Sequence, residues 1–256
     1  MKLNFFKYQG TGNDFVMIDN RTKTFPKEKT DIFSQLCDRH FGIGADGVIL
    51  IEKDDVFDFK MIYFNADGSE TFCGNGARCA VAFAEKLNII ENSTKFLAVD
   101  GEHFAEINDE IISIKMIDVN TINVNKNSAF TNTGTQHHVE LVDELDNYPV
   151  YTKGKEIRNS YKKPGANVNF VQQLDDKTFK VRTYEKGVED ETLACGTGVT
   201  AVAVVMHKLK KTKSNKISLP VEGGSLYVTF TEKEGKYTNI YLKGPAKLVF
   251  KGEILI

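Results

Sequence analysis

The sequence has no long apolar run. Its longest, Cys79–Ala84 and Ala201–Met206, are six residues each, against about 20 for a helix that crosses a membrane. The segment Met1–Lys7 offers no apolar stretch of signal-peptide length, so a cytoplasmic protein is expected. Cysteine is scarce, four residues at 37, 73, 79 and 195. In a cytoplasmic setting these are not expected to form structural disulfides. With five prolines, 20 glycines and no biased segment, the chain is neither disordered nor fibrous. No charge of one sign dominates: 33 basic against 35 acidic residues give −2. That balance argues against a surface built to neutralise nucleic-acid phosphates and against a polybasic membrane anchor. What is present is 41% hydrophobic residues in a chain of 256, enough for one large domain or two of roughly 110–140 residues.

Short β-branched and aromatic runs dominate both halves. Phe15–Ile18, Val48–Ile51, Phe57–Phe64, Ile111–Ile117, Phe170–Gln172, Phe179–Tyr184, Leu226–Phe230 and Tyr237–Leu242 have strand length and composition. Three stretches read as helical. Thr30–His40 places Ile32, Phe33, Leu36 and Cys37 on one face. The others follow Cys73-Gly74-Asn75-Gly76 and Cys195-Gly196-Thr197-Gly198, two matching starts 122 residues apart. Beyond the shared Cys-Gly-x-Gly, Lys86 matches Lys208 and Leu87 matches Leu209 at the same offset. The matches point to a duplicated domain. Both helices are apolar on nearly every side and must be buried all round, which strands wrapped about a central helix would achieve. The expectation is an α+β protein of two similar domains related by a pseudo-two-fold, with the active site in the cleft between them. The first spans residues 1–118, with the C-terminal strand 249–256 as a candidate to complete it, and the second 119–248.

Cys73 and Cys195 carry the chemical interest. Each precedes a helix, where unpaired N–H groups and the positive end of the macrodipole favour anions and stabilise a thiolate. Two such thiols flanking one small anionic ligand suit inversion at a carbon centre, which needs a base on one face and an acid on the other. On the residues alone, two inert core cysteines beside tight turns remain an equal reading. Cys79 lies about 240° round the helix from Cys73, so the two do not share a face. Cys37 reads as core, and the histidines give no zinc spacing. His137 and His138, adjacent in a strand, point to opposite faces, so one of them can reach a site. Gly42-Ile43-Gly44-Ala45-Asp46-Gly47 fits G-x-G-x-x-G, but helix precedes it and strand follows, the reverse of a dinucleotide site. The lysines from Lys208 to Lys216 read as a solvated helix end.

Three segments together resemble the diaminopimelate epimerase family: Phe6-Lys7-Tyr8-Gln9-Gly10-Thr11-Gly12-Asn13-Asp14-Phe15, Phe64-Asn65-Ala66-Asp67-Gly68-Ser69 leading into Cys73-Gly74-Asn75-Gly76-Ala77-Arg78-Cys79, and Glu191-Thr192-Leu193-Ala194-Cys195-Gly196-Thr197-Gly198. The resemblance implies a homodimeric, pyridoxal-independent isomerase with no cofactor and no metal. It would interconvert LL- and meso-diaminopimelate for lysine and peptidoglycan synthesis, its partner a small-molecule substrate rather than nucleic acid or membrane. It implies Cys73 and Cys195 as the acid/base pair and His137 and Glu185 in support. Substrate would be bound by Asn13, Asn65, Gly74, Asn75, Asn167, Glu185, Lys186, Gly196 and Thr197. Two positions depart from the family pattern. Thr135 stands where an Asn is common, and Lys186 where Arg commonly follows the Glu; Lys cannot make a bidentate fork to a carboxylate. The Cys-Gly-x-Gly pair is shared with proline and hydroxyproline racemases, which keeps those substrates as an alternative. A non-enzymatic binder of anions at the same helix starts is a second.

Overall fold

The computed structural model describes Lys2–Ile256. It divides into two compact units, one holding residues up to Ile114 together with Gly244–Ile256, the other Lys115–Lys243. In chain order the elements are β1 (Lys2–Gly10), β2 (Asn13–Asp19), α1 (Asp31–Cys37), β3 (Gly47–Glu52), β4 (Phe59–Asn65), β5 (Glu70–Thr71), α2 (Gly74–Lys86), β6 (Ser93–Ala98), β7 (Gly101–Asn108) and β8 (Ile111–Lys115). There follow β9 (Ile122–Val124), β10 (Ser128–Asn132), β11 (Gln136–Leu141), α3 (Val150–Ser160), β12 (Asn167–Gln173), β13 (Phe179–Glu185), β14 (Asp190–Thr192), α4 (Gly196–Lys208), β15 (Lys216–Val221), β16 (Gly224–Lys233) and β17 (Lys236–Pro245). Strand β18 (Lys247–Leu255) belongs to the first unit.

In the first unit the strands pair in the order β8-β7-β6-β4-β3-β2-β1-β18, with β5 added to β4. Strand β3 is buried at every position, because both faces of the sheet are covered. Val16, Ile18, Val48, Leu50 and Ile62 join Ile32, Phe33 and Leu36 of α1 in one core cluster. The alternate residues Phe15, Ile49 and Met61 point the other way, onto α2 at Gly76, as the period of two requires. Helix α2 packs against β1 through β4. Its Phe83 meets the rings of Phe6 and Tyr8 at centroid distances of 5.0 and 5.8 Å.

In the second unit β14-β13-β12-β11-β10-β9 form one sheet and β15-β16-β17 an antiparallel meander. Helix α4 packs on strands β10 to β13 and also on β15 and β16. Every residue from Gly198 to Met206 is buried, the outcome its all-round apolar sequence demands. On the other face of the six-stranded sheet, Val150 of α3 packs with Leu145, Val168, Phe170 and Tyr184. Helix α3 is a fourth helix beyond the three legible in the sequence. Its segment is polar, with only Val150 and Gly154 buried, so no apolar stripe announces it. Gly154 lies where a Cβ would run into the Tyr184 side chain, and this close approach seats the helix.

The first helix is shorter than the sequence suggests, α1 spanning Asp31–Cys37 with Thr30 as its N-cap residue. The G-x-G-x-x-G segment lies between α1 and β3, and its last glycine opens β3.

Candidate active site

Two groups of polar side chains are built around the starts of α2 and α4. In the first unit Cys73 is the N-cap residue of α2, with extended φ −135° and ψ 123°. The first N–H groups of a helix have no intrahelical acceptor, and here they belong to Gly74, Asn75 and Gly76. The first turn carries no acidic side chain to occupy them. The Cys73 thiol donates to Asn13 Oδ1 at 3.4 Å, and Asn75 Nδ2 donates to the same oxygen at 3.4 Å. Asn13, Cys73, Gly74 and Asn75 are therefore together.

Asn13 is held from behind by charge. Its Nδ2 donates to the Asp46 carboxylate. Arg39 donates to Asp46 at 2.8 Å and forks onto Asp14 at 3.0 and 2.8 Å. The Lys7 ammonium lies 2.7 Å from Asp14 and also donates to the Gly44 carbonyl. Burial by itself raises the Asp14 carboxyl, but Arg39 and Lys7 bring it down to about 2. The loop Gly42–Gly47 supplies Asp46 and the Gly44 carbonyl to this scaffold.

Arg78, one turn into α2, is completely buried. It donates to Thr11 Oγ1 at 2.7 Å, Asn75 Oδ1 at 2.9 Å, and the carbonyls of Gly74 and Pro245 at 3.4 Å each. No carboxylate pairs with it among the described residues, and desolvation lowers its pKa. Its bond to Asn75 Oδ1 fixes that amide with the nitrogen toward Asn13. Asn65 is placed differently. Its Oδ1 accepts from the Tyr63 hydroxyl at 2.9 Å and its Nδ2 donates to Ser69 Oγ at 3.0 Å, so these bonds serve the Asn65–Ser69 turn rather than the Cys73 group.

In the second unit Cys195 occupies the same station on α4, again extended at φ −121° and ψ 108°. Its sulfur lies 3.6 Å from Thr197 Oγ1, and its thiol also hydrogen-bonds Glu185. Glu185 accepts from Thr192 Oγ1 at 3.1 Å. Burial raises the Glu185 carboxyl, with the Thr192 and Cys195 bonds opposing. The Thr133 hydroxyl donates to the Thr197 carbonyl at 2.8 Å, steadying the first turn of α4. Thr135 accepts from the Thr133 N–H through its backbone carbonyl.

The sheet beneath α4 supplies the remaining side chains. His137 is aligned with Asn167 in the parallel β11–β12 register, and Asn169 with Thr183 across β12–β13. Alternation puts Asn167 and Asn169 on one face, and Gly198 identifies that face: a Cβ there would run into Asn169 Oδ1. His137 is fully buried, and desolvation first, then the Lys186 charge, lowers its pKa to about 3. His138 points to the opposite face, bonded to the Tyr161 hydroxyl at 2.8 Å and to Glu140 at 3.2 Å. Asn167 Oδ1 accepts from the Lys186 backbone N–H at 2.9 Å. The second group is therefore His137, Asn167, Glu185, Lys186, Cys195, Gly196 and Thr197.

Asn169, Thr183, Arg78 and the Asp14–Asp46–Arg39–Lys7 cluster were not singled out from sequence. The Asn-x-Asn spacing at 167 and 169, inside a strand, was a signal for the first, since it places both amides on one face.

Comparisons with known proteins identify the family. The diaminopimelate epimerase family model matches residues 5–122 and 129–249. A diaminopimelate epimerase of Flavobacterium psychrophilum is 54% identical over 98% of this chain and all of its own. That of Aquifex aeolicus is 38% identical over 98% of each chain. The fold is also that of a PhzF-family phenazine biosynthesis protein from Bacillus anthracis, with a TM-score of 0.79 over the whole of both chains at 15% identity. With the family model covering both repeats and each repeat opening a helix with Cys-Gly-x-Gly, the chain is an isomerase of the epimerase type and belongs to the diaminopimelate epimerase family.

Proposed function

We propose that this chain interconverts LL- and meso-diaminopimelate independently of pyridoxal phosphate, with Cys73 and Cys195 as the base and acid. The observation that carries the reading is the duplicated thiol station. Each thiol sits extended at the N-cap of a thirteen-residue helix, and each is hydrogen-bonded to a polar side chain, Asn13 in one unit and Glu185 in the other. In the reaction one thiolate takes the α-hydrogen as a proton, forming S–H, while the C–H electron pair moves toward the substrate carboxylate. The other thiol then delivers its proton to the opposite face and becomes the thiolate. The helix-start N–H groups, those of Gly74, Asn75, Gly196 and Thr197, receive the charge that builds on the carboxylate. Asn167, whose oxygen is taken by the Lys186 N–H, offers its Nδ2 as a donor, and Asn65 and Lys186 complete the grip on the distal amino-acid end. The active species on this reading is a cytoplasmic homodimer serving lysine and peptidoglycan synthesis.

The test is solvent exchange. In deuterium oxide, diaminopimelate should gain deuterium at the inverted α-carbon, while proline and hydroxyproline should not. Cys73→Ala and Cys195→Ala should each abolish inversion in a folded protein. Full turnover by either variant would reject the two-thiol scheme, and binding without exchange would reduce the protein to an anion binder.

A further inference from the structure

The His137 ring carries the one buried side-chain nitrogen or oxygen among the described residues that has no hydrogen-bond partner, Nε2. Its other nitrogen has a partner whose role can be derived. Asn169 is completely buried. Its Nδ2 lies 2.8 Å from the His138 carbonyl, which only accepts, so that position must be the NH2. Its Oδ1 lies 3.0 Å from the Thr183 hydroxyl, which donates to it. Turning the amide over would set two oxygens against each other at the His138 carbonyl. With the amide fixed, one Nδ2 hydrogen goes to His138 and the other faces His137 Nδ1 at 3.2 Å. Nδ1 must then be the acceptor, and a neutral imidazole with an accepting Nδ1 carries its hydrogen on Nε2.

We infer that Asn169 is a positioning residue that locks His137 as the Nε2–H tautomer, making His137 a hydrogen-bond donor to an acceptor atom of the substrate and not a proton-accepting base. A buried N–H with no acceptor carries an unrecovered desolvation penalty, and an anionic oxygen of a ligand removes it. The surroundings act in the same direction. Burial first, and then the Lys186 charge, disfavours a second proton on the ring, and Thr183 holds Asn169 so that the amide cannot turn. The assignment of the acceptor to a substrate carboxylate rests on the proposed function; the tautomer does not.

The experiment is nitrogen NMR on the full chain labelled with 15N-histidine, the His137 signals being assigned by their loss in His137→Gln. The expected spectrum has a protonated Nε2 and an unprotonated Nδ1. Asn169→Asp replaces the donor with an acceptor and should move the hydrogen to Nδ1. It should also lower kcat by at least about tenfold, the direction a wrong tautomer takes in other enzymes. Asn169→Ala removes the lock and should give a mixture of tautomers with an intermediate kcat. A wild-type His137 protonated at Nδ1 overturns the inference even if the Asp variant fails to fold, and so does an inverted tautomer at undiminished kcat. The spectrum is read without turnover. An active enzyme with the wrong tautomer therefore sinks only this inference, and the expected tautomer without α-carbon exchange sinks only the proposed substrate.

Discussion

The repeat places a glycine at the third position of both buried helices, Gly76 and Gly198, and the structure gives the two opposite tolerance for a methyl group. Replacing helical Gly by Ala gains up to about 1 kcal/mol of backbone entropy. At Gly76 a new Cβ would lie 3.0 Å from Ile49 Cδ1, 3.4 Å from Phe15 Cζ and 3.5 Å from Met61 Cε. The nearest of these is the tip of a flexible side chain, which can move by a few tenths of an ångström. At Gly198 the Cβ would overlap Asn169 Oδ1 and sit 3.2 and 3.3 Å from the Cβ and sulfur of Cys195. Asn169 cannot retreat without losing its bonds to Thr183, His137 or His138, each worth about 1 kcal/mol, on top of about 1–3 kcal/mol for overpacking. The net expectation is a loss of about 2–3 kcal/mol for Gly198→Ala and a change within about 1 kcal/mol of zero for Gly76→Ala. Urea unfolding is the assay. With a slope of about 2–3 kcal/mol per molar, Gly198→Ala should lower the midpoint by about 1 M while Gly76→Ala leaves it nearly in place. Equal midpoints for the two variants, or a Gly198→Ala protein more stable than the parent, would refute the close packing of α4 on Asn169.

Two further outcomes follow from the first unit. Asp14 holds its proton less readily folded than unfolded, its carboxyl lying at about 2 against an ordinary 3.8. Its contribution of about 2 kcal/mol is therefore complete above about pH 4 and disappears as the pH falls through about 2. Asp14→Asn should flatten that part of the stability curve measured by denaturant titration at stepped pH, and an unchanged acid slope would contradict the Arg39–Lys7 clamp. Arg78→Lys replaces a forked cation serving four acceptors with three mobile hydrogens, leaving at least one buried acceptor unpaired at about 1–3 kcal/mol. Thermal melts should show the drop, and a fully stable lysine variant would mean that the guanidinium fork is not what holds Asn75.

What could be read from the sequence was whatever a local pattern encodes. Short β-branched and aromatic runs marked β2 and β3. The all-round apolar run Val199–Met206 demanded a helix buried on every side, and β11 and β12 with the meander provide the walls. The adjacency of His137 and His138 in a strand foretold that they would point to opposite faces. Helix α3 escaped because its buried surface is little more than Val150 and Gly154, too narrow a stripe for any period to register. Asn65, at a position the family resemblance assigns to substrate, bonds Tyr63 and Ser69 beside the turn that leads to β5, contacts that fix where its amide sits.

The support behind each thiol was the least legible part, for a physical reason. Lys7 and Asp14 come from β1 and β2, and Arg39 and Asp46 from the segment between α1 and β3, and they meet only because β2 pairs with both β1 and β3. Asn169 and Thr183 meet because β12 and β13 are in one register, and they meet α4 only because Gly198 lets the helix descend onto the amide. Such contacts are set by which strands pair, and no window of sequence contains them. The two supports also differ in kind. A charged lattice orients Asn13 beside Cys73, whereas beside Cys195 a neutral chain, Thr183 to Asn169 to His137, lies next to the single carboxylate Glu185. Two copies of one helix start have thus acquired different proton acceptors for the same thiol, an amide oxygen and a carboxylate.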